Sequence, residues 1–436
     1  MNRIVTVLMN VPKNAFPDCS RSDTATSRRD HRRLDQQCRK TLLATRPMSL
    51  RRLRGCYGLS VISTVVLLTA VSSTNGQPRK DPKLFKVPTV ESSWDDLMDE
   101  IKTPDDWRQR RPLLKQRYLD LIRDQHKPQK PPLDLQIHES EVVEDVYERK
   151  LISYNVEQDE RAFAYLGIPL EINGRAPAMV ALHGTFAQGK RRAAGLVDIP
   201  DKAYLDHLCR RGYVVIAPEH FVSGHRIPDE GPYETGPFYK KHPQWTAVGK
   251  FTYEHSIAID VLQSLDQVDA DQIGALGHSL GGHGTIFLAA YDERIKAAAC
   301  NCGATFFRHN PRVTAWARDH WYVYFKHIRT GLLAGEMPPI DFHEIIALIA
   351  PRAFLDLSGL NDGPPGTQRQ RIVMLMRVMD VYDLQQVPGN FAFYVHGRGH
   401  SVAHESRQLM YGWMDTHLKD PEQTATRLVV ERATKP

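Results

Sequence analysis

Long hydrophobic runs and cysteines are both scarce in this chain of 436 residues, which holds six cysteines. The apolar run from Leu59 to Val71 is shorter than the roughly 18 residues of a membrane-spanning helix, so stable membrane insertion is not expected. Three cysteines (Cys19, Cys38, Cys56) fall in the first 76 residues, leaving Cys209, Cys300 and Cys302 for the rest. That excludes a fold held by a disulfide framework. Cys300 and Cys302 lie in "IKAAACNCG", an apolar run that reads as a buried strand. They are expected to be small core residues, not a disulfide or a metal pair.

A one-sided charge is also missing from the body of the chain. The formal charge is +6, but the first 76 residues hold 13 Lys and Arg against 4 Asp and Glu, so the remainder is slightly acidic. No nucleic-acid partner is expected. At 42% hydrophobic and 25% charged residues, the composition is that of a soluble globular protein. No internal repeat is visible.

The basic leader has a targeting pattern. Arg51, Arg52 and Arg54 precede the apolar run, and small or polar residues from Ser72 to Gly76 follow it, as in a secretory signal peptide. Residues 48–76 are expected to be that peptide, with Met48 as the true start and residues 1–47 a non-native or disordered leader. Secretion or periplasmic export follows, and an anchor formed by uncleaved residues 59–71 is the alternative.

Residues 77–133 read as a helical extension and linker. Apolar residues recur at helical spacing over 92–125, with start signals at Ser93 and at Thr103-Pro104-Asp105-Asp106, before "KPQKPP" breaks the pattern. From 134 to 420, β-rich apolar runs such as "APAMVALHG", "YVVIAPEH", "IGALGHS", "IKAAACNCG", "RAFLDLSGL" and "FAFYVHG" alternate with helical segments. Such alternation predicts an α/β domain, a mostly parallel central sheet with helices on both faces. Residues 421–436 read as a C-terminal tail.

The stretch "IGALGHSLGGHGT", Ile273–Thr285, places Ser279 where a strand turns sharply into a helix. In a Gly-x-Ser-x-Gly elbow the serine backbone is strained and flanking side chains would collide with the turn and the adjoining helix, which Gly277 and Gly281 avoid. A serine hydroxyl needs a base to take its proton, and the base needs a carboxylate to hold its tautomer. In this architecture the acid and then the histidine follow in later loops. "RAFLDLSGLNDG" offers Asp362 in the loop after a strand, with Asp356 inside the strand as second choice. "FAFYVHGRGHSVAH" offers His400 in a glycine-rich loop, in preference to His396 and His404.

Oxyanion donors are expected from the N–H of Leu280, next to the nucleophile, and from Thr185 or Phe186 after "VALHG". Histidines at four-residue intervals, and the His278 and His283 pair, raise a metal reading. Gly397 and Gly399 argue against the helix such ligands need. No metal and no cofactor are expected.

In "LHGTFAQGK", "VGKFTYEHSIAIDVLQSLDQVDADQIGALGHSLGGHG", "DERIKAAACNCG", "IAPRAFLDLSGLNDG" and "HGRGHS" the chain resembles α/β-hydrolases of the dienelactone-hydrolase and acetyl-xylan-esterase-like group, over residues 90 to 420. The resemblance implies an α/β-hydrolase fold with Ser279, Asp362 and His400 as nucleophile, acid and base. Dienelactone hydrolases proper use a cysteine, so Ser279 points to ester cleavage and away from lactones. The implied partner is a small-molecule or carbohydrate ester, such as acetyl groups on xylan.

Two aromatic-rich inserted segments, "EHFVSGHRIPDEGPYETGPFYKKHPQW" and "GATFFRHNPRVTAWARDHWYVYFKHIRTGLLAGEMPP", are long enough to form a lid and substrate site. Trp245, Trp316, Trp321, Tyr322 and Tyr324 read first as core beneath a lid and second as a sugar or acyl pocket. The rival functions are a serine peptidase of prolyl-oligopeptidase type, which lacks its propeller repeat here, and a catalytically silent binding protein, although no triad member is missing.

Overall fold

The computed structural model describes residues 92–419. The leader, the signal peptide and the tail from 421 onward lie outside the described residues. The strands are β1 (Gln136–Val143), β2 (Tyr147–Glu157), β3 (Glu160–Pro169), β4 (Ala176–Leu182), β5 (Val214–Pro218), β6 (Val268–His278), β7 (Ile295–Asn301), β8 (Ala353–Gly359) and β9 (Phe391–His396). They form one sheet in the order β1-β2-β3-β5-β4-β6-β7-β8-β9. The pairs from β1 through β3 to β5 are antiparallel, and those from β5 onward are parallel.

The helices are α1 (Pro104–Ile122), α2 (Lys190–Ala193), α3 (Tyr204–Cys209), α4 (Gly236–Lys241), α5 (Ala247–Gln263), α6 (Leu280–Tyr291), α7 (Arg329–Leu333), α8 (Phe342–Ala347), α9 (Thr367–Leu384) and α10 (His404–Leu418). None is long and apolar enough to cross a membrane.

Strands β4 and β5, at the centre of the sheet, are buried at every position because both faces are covered. In β4, Ala178, Val180 and Leu182 join one apolar cluster with residues of α1, α5, α6, α8 and α9. Met179 and Ala181 alternate into a second cluster with α3 and α10. This period-two division is what a pleated strand imposes.

The helical extension belongs to the first of these clusters. Trp94, Trp107, Tyr118 and Ile122 are buried in it, and Tyr118 donates its hydroxyl to the Phe287 carbonyl of α6 at 2.7 Å. The expected helix over 92–125 is interrupted: a 3-10 turn covers Asp95–Met98, and α1 starts at Pro104 behind a capping box between Thr103 and Asp106. Strand β1 has no counterpart in the expected pattern. It is an exposed edge, and its polar sequence lacks the alternation that one buried face would create.

Candidate active site

Ser279 sits between β6 and α6 with φ 60° and ψ −119°, a conformation that side-chain-bearing residues rarely adopt. The strain is held in place by close backbone packing. A Cβ on Gly281 would lie 2.2 Å from the Leu182 carbonyl oxygen, and one on Gly277 would lie 2.4 Å from the Gly281 carbonyl oxygen. Both glycines are therefore steric requirements of the turn, and Ser279 N–H is tied to the Asn301 carbonyl of β7 at 2.9 Å.

The loops after β8 and β9 bring their residues to this serine. His400 Nε2 lies 2.8 Å from Ser279 Oγ, and His400 Nδ1 lies 2.9 Å from Asp362 Oδ2. Burial acts to raise the Asp362 carboxyl, but the hydrogen bond and charge of His400 outweigh it and hold the group below the ordinary value. Gln368, at the start of α9, donates to the Asp362 backbone carbonyl. The alternatives lie elsewhere. Asp356 is fully buried inside β8, 3.6 Å from Arg371 Nη1, and burial pushes its carboxyl up to about 6 against the pull of that arginine. His396 accepts from the Arg398 N–H, and His404 opens α10 beside Arg407.

Of the expected oxyanion donors, Leu280 is the first residue of α6, where an N–H has no intrahelical acceptor. The His183-Gly184 turn lies against the elbow, since a Cβ on Gly184 would be 3.5 Å from that of Ser279. Phe186 N–H is already donated to the Tyr233 hydroxyl at 2.7 Å, and Thr185, the other expected donor of this loop, is exposed.

A cavity of about 200 Å³ opens onto Ser279 and His400, walled by Trp316, Tyr324, Arg318 and residues of the loop after β7. His278 and His283 lie close to Ser279. Burial first, and nearby positive groups second, push them down to about 3 and about 4, so both remain neutral at physiological pH. His278 donates Nδ1–H to Asn301 Oδ1 at 2.6 Å, and its ring packs 4.7 Å from that of His400.

Cys300 is wholly buried in β7, as expected of a core residue, and both it and Cys302 are free thiols. Cys302 lines the cavity, and its Sγ lies within 4.8 Å of ligand atoms of Asp362 and His400. In that cluster the carboxylate and imidazole are already bound to each other. Of the inserted aromatics, Trp245, Trp316, Tyr322 and Tyr324 are buried, whereas Trp321 is 40% exposed. Tyr233, Cys302, Gln368 and Arg318 carry no local sequence signal of their place at the site.

This sheet and strand-to-helix elbow are those of an α/β-hydrolase. Comparison with known proteins agrees. Residues 221–383 match the family described as "Glucuronyl esterase, fungi". The Bacillus subtilis (strain 168) protein "Putative hydrolase YtaP" is 30% identical over 236 residues, 52% of this chain and 73% of that protein. A glucuronoyl esterase from Solibacter usitatus superposes with a TM-score of 0.58 at 18% identity, covering 73% of this chain and 94% of that one. Methylesterase BT1017 superposes with a TM-score of 0.55 at 17% identity, over 74% and 66%. The chain belongs to the same family as that Bacillus subtilis hydrolase and has the α/β-hydrolase fold.

Proposed function

We propose that the protein is a serine esterase acting on carbohydrate esters through Ser279, His400 and Asp362. The observation that carries this reading is the single imidazole bridging Ser279 Oγ at 2.8 Å and Asp362 Oδ2 at 2.9 Å. Ser279 Oγ attacks the ester carbonyl while His400 Nε2 takes its proton. Collapse of the tetrahedral intermediate breaks the bond to the alcohol, and His400 returns the proton to the leaving oxygen. Water, deprotonated by the same nitrogen, then cleaves the acyl-enzyme. Leu280 N–H and Thr185 N–H face both oxyanions. No step calls for a cofactor.

The substrate reading is an ester on a plant-type polysaccharide, with acetyl groups on xylan as the first form. Esters of a sugar carboxylate are the second form, favoured by the match to glucuronyl esterases and by the likeness to a methylesterase. A panel of acetylated xylo-oligosaccharides and methyl glucuronate separates the two. Ser279→Ala lowers turnover on the better of them by about 10⁴-fold or more with an unchanged circular dichroism spectrum. Near-normal turnover in that variant would end the proposal.

Export completes the reading: residues 48–76 act as a signal peptide, and the catalytic domain lies within 134–420. N-terminal sequencing of secreted protein should begin shortly after Gly76, whereas a mature chain that retains residues 59–71 would favour the anchored form.

A further inference from the structure

The cavity at Ser279 does not end at the triad. Arg318 forms part of its wall and also part of the wall of a neighbouring cavity of about 400 Å³, which Trp321, Tyr239 and Lys326 help to line. The Arg318 guanidinium lies 4.9 Å from the Trp321 ring centroid and 5.7 Å from that of Tyr324, and the Lys326 ammonium lies 5.7 Å from the Tyr239 ring centroid. The cations are thus presented on aromatic faces, with no acid to hold them. Among the described residues, Arg312, Arg318 and Lys326 have no carboxylate within ion-pair distance.

The carboxylates of the two cavities do not offset them. Asp362 is bonded to His400, Asp319 is held by Arg329 at 2.9 Å and His320 at 2.6 Å, and Glu234, which also lines the second cavity, makes no ion pair with Arg318 or Lys326 among the described residues. Some buried cations elsewhere in this chain do reach a carboxylate, as Lys190 does on Glu219 and Arg226 on Glu254. Sugar rings stack on exposed aromatic faces, and a guanidinium fork matches a carboxylate. A neutral glycan would use the rings and leave the cations solvated.

We propose that the two cavities form one binding cleft for an acidic oligosaccharide, with Arg312 and Arg318 receiving a carboxylate on a sugar next to the scissile ester and Trp321 with Lys326 receiving the following unit. This deepens the esterase reading and rests on it for hydrolysis, but the binding step is measurable without turnover.

The test uses the Ser279→Ala chain titrated by calorimetry with a glucuronate-bearing xylo-oligosaccharide and with a neutral one of equal length. The acidic sugar should bind about tenfold or more tightly, with the preference shrinking at high salt. Arg318→Gln in the same background should cut that preference about tenfold. Trp321→Ala should weaken both sugars together. Lys296→Gln removes the same charge from the exposed, opposite end of β7 and should leave the preference unchanged. Equal affinity for the two sugars, a preference insensitive to Arg318→Gln, or an equal effect of Lys296→Gln would overturn the inference. A sulfated oligosaccharide that binds as well as the glucuronate form would overturn its carboxylate part. Failure of the esterase reading shows separately, as lack of reaction between wild-type Ser279 and a fluorophosphonate.

Discussion

Asp362 Oδ2 accepts the Nδ1–H of His400 across 2.9 Å, which fixes the histidine tautomer that leaves Nε2 free to accept the proton of Ser279. An asparagine at position 362 could present an N–H to Nδ1 and force the opposite tautomer. Asp362→Asn should therefore lower kcat by about 10³–10⁴-fold while the melting temperature stays within a few degrees. Steady-state kinetics and thermal melts check this, and a loss under tenfold would show that the tautomer is set by something else.

The second carboxylate of β8 has a different consequence. Asp356 binds its proton more tightly in the folded chain, about 6, than in the unfolded one, where the ordinary value of 3.8 applies, because burial outweighs the attraction of Arg371. Its contribution to stability is therefore fully present below about pH 4 and is lost as pH rises through about 6. Asp356→Asn cannot ionise and lacks this dependence. Apart from a constant offset, the variant should gain on the wild type by on the order of 3 kcal/mol between pH 4 and pH 7 in denaturant unfolding. A difference that stays flat over that window would contradict the assignment.

The elbow gives a steric prediction. Because the atoms facing Gly281 are the Leu182 carbonyl at 2.2 Å and the His183 carbonyl oxygen at 2.9 Å, rigid backbone has to move to admit a methyl group. Gly281→Ala should cost ~1–3 kcal/mol in unfolding free energy, and kcat should fall by more than stability accounts for, since the displaced strand end carries the loop proposed to donate to the oxyanion. A fully active, equally stable variant would show that the turn is looser than drawn.

Cys302 lies beside Asp362 and His400 yet should be inert. Burial, reinforced by the Asp362 carboxylate, pushes its thiol up to about 12, so almost none is thiolate at pH 8. Iodoacetamide at that pH should leave ester turnover intact. Rapid inactivation with alkylation mapped to Cys302 would contradict this.

How much of this was legible in the sequence differs residue by residue. The elbow glycines, the chain order of Ser279, Asp362 and His400, and the placement of the last two in loops after strands are local or ordered features, and the structure brings these three side chains together. Tyr233 was not legible. It lies 47 residues from Phe186, and only the folded inserted segment carries its hydroxyl to that N–H. The helical spacing around Trp107 and Tyr118 marks an apolar face but not what covers it, so an apparent extension is in fact part of the main core. β1 is an edge strand without a buried face and so gives no periodic signal. Arg318 reads as one charge among many until the fold places it between two cavities.

The most direct measurement is peptide mapping by mass spectrometry after reaction with a fluorophosphonate. A single phosphonyl adduct is expected on Ser279, formed quickly in the wild type, much more slowly in His400→Ala and not at all in Ser279→Ala. An adduct on another residue, or ester turnover that survives without any adduct, would contradict a nucleophilic Ser279.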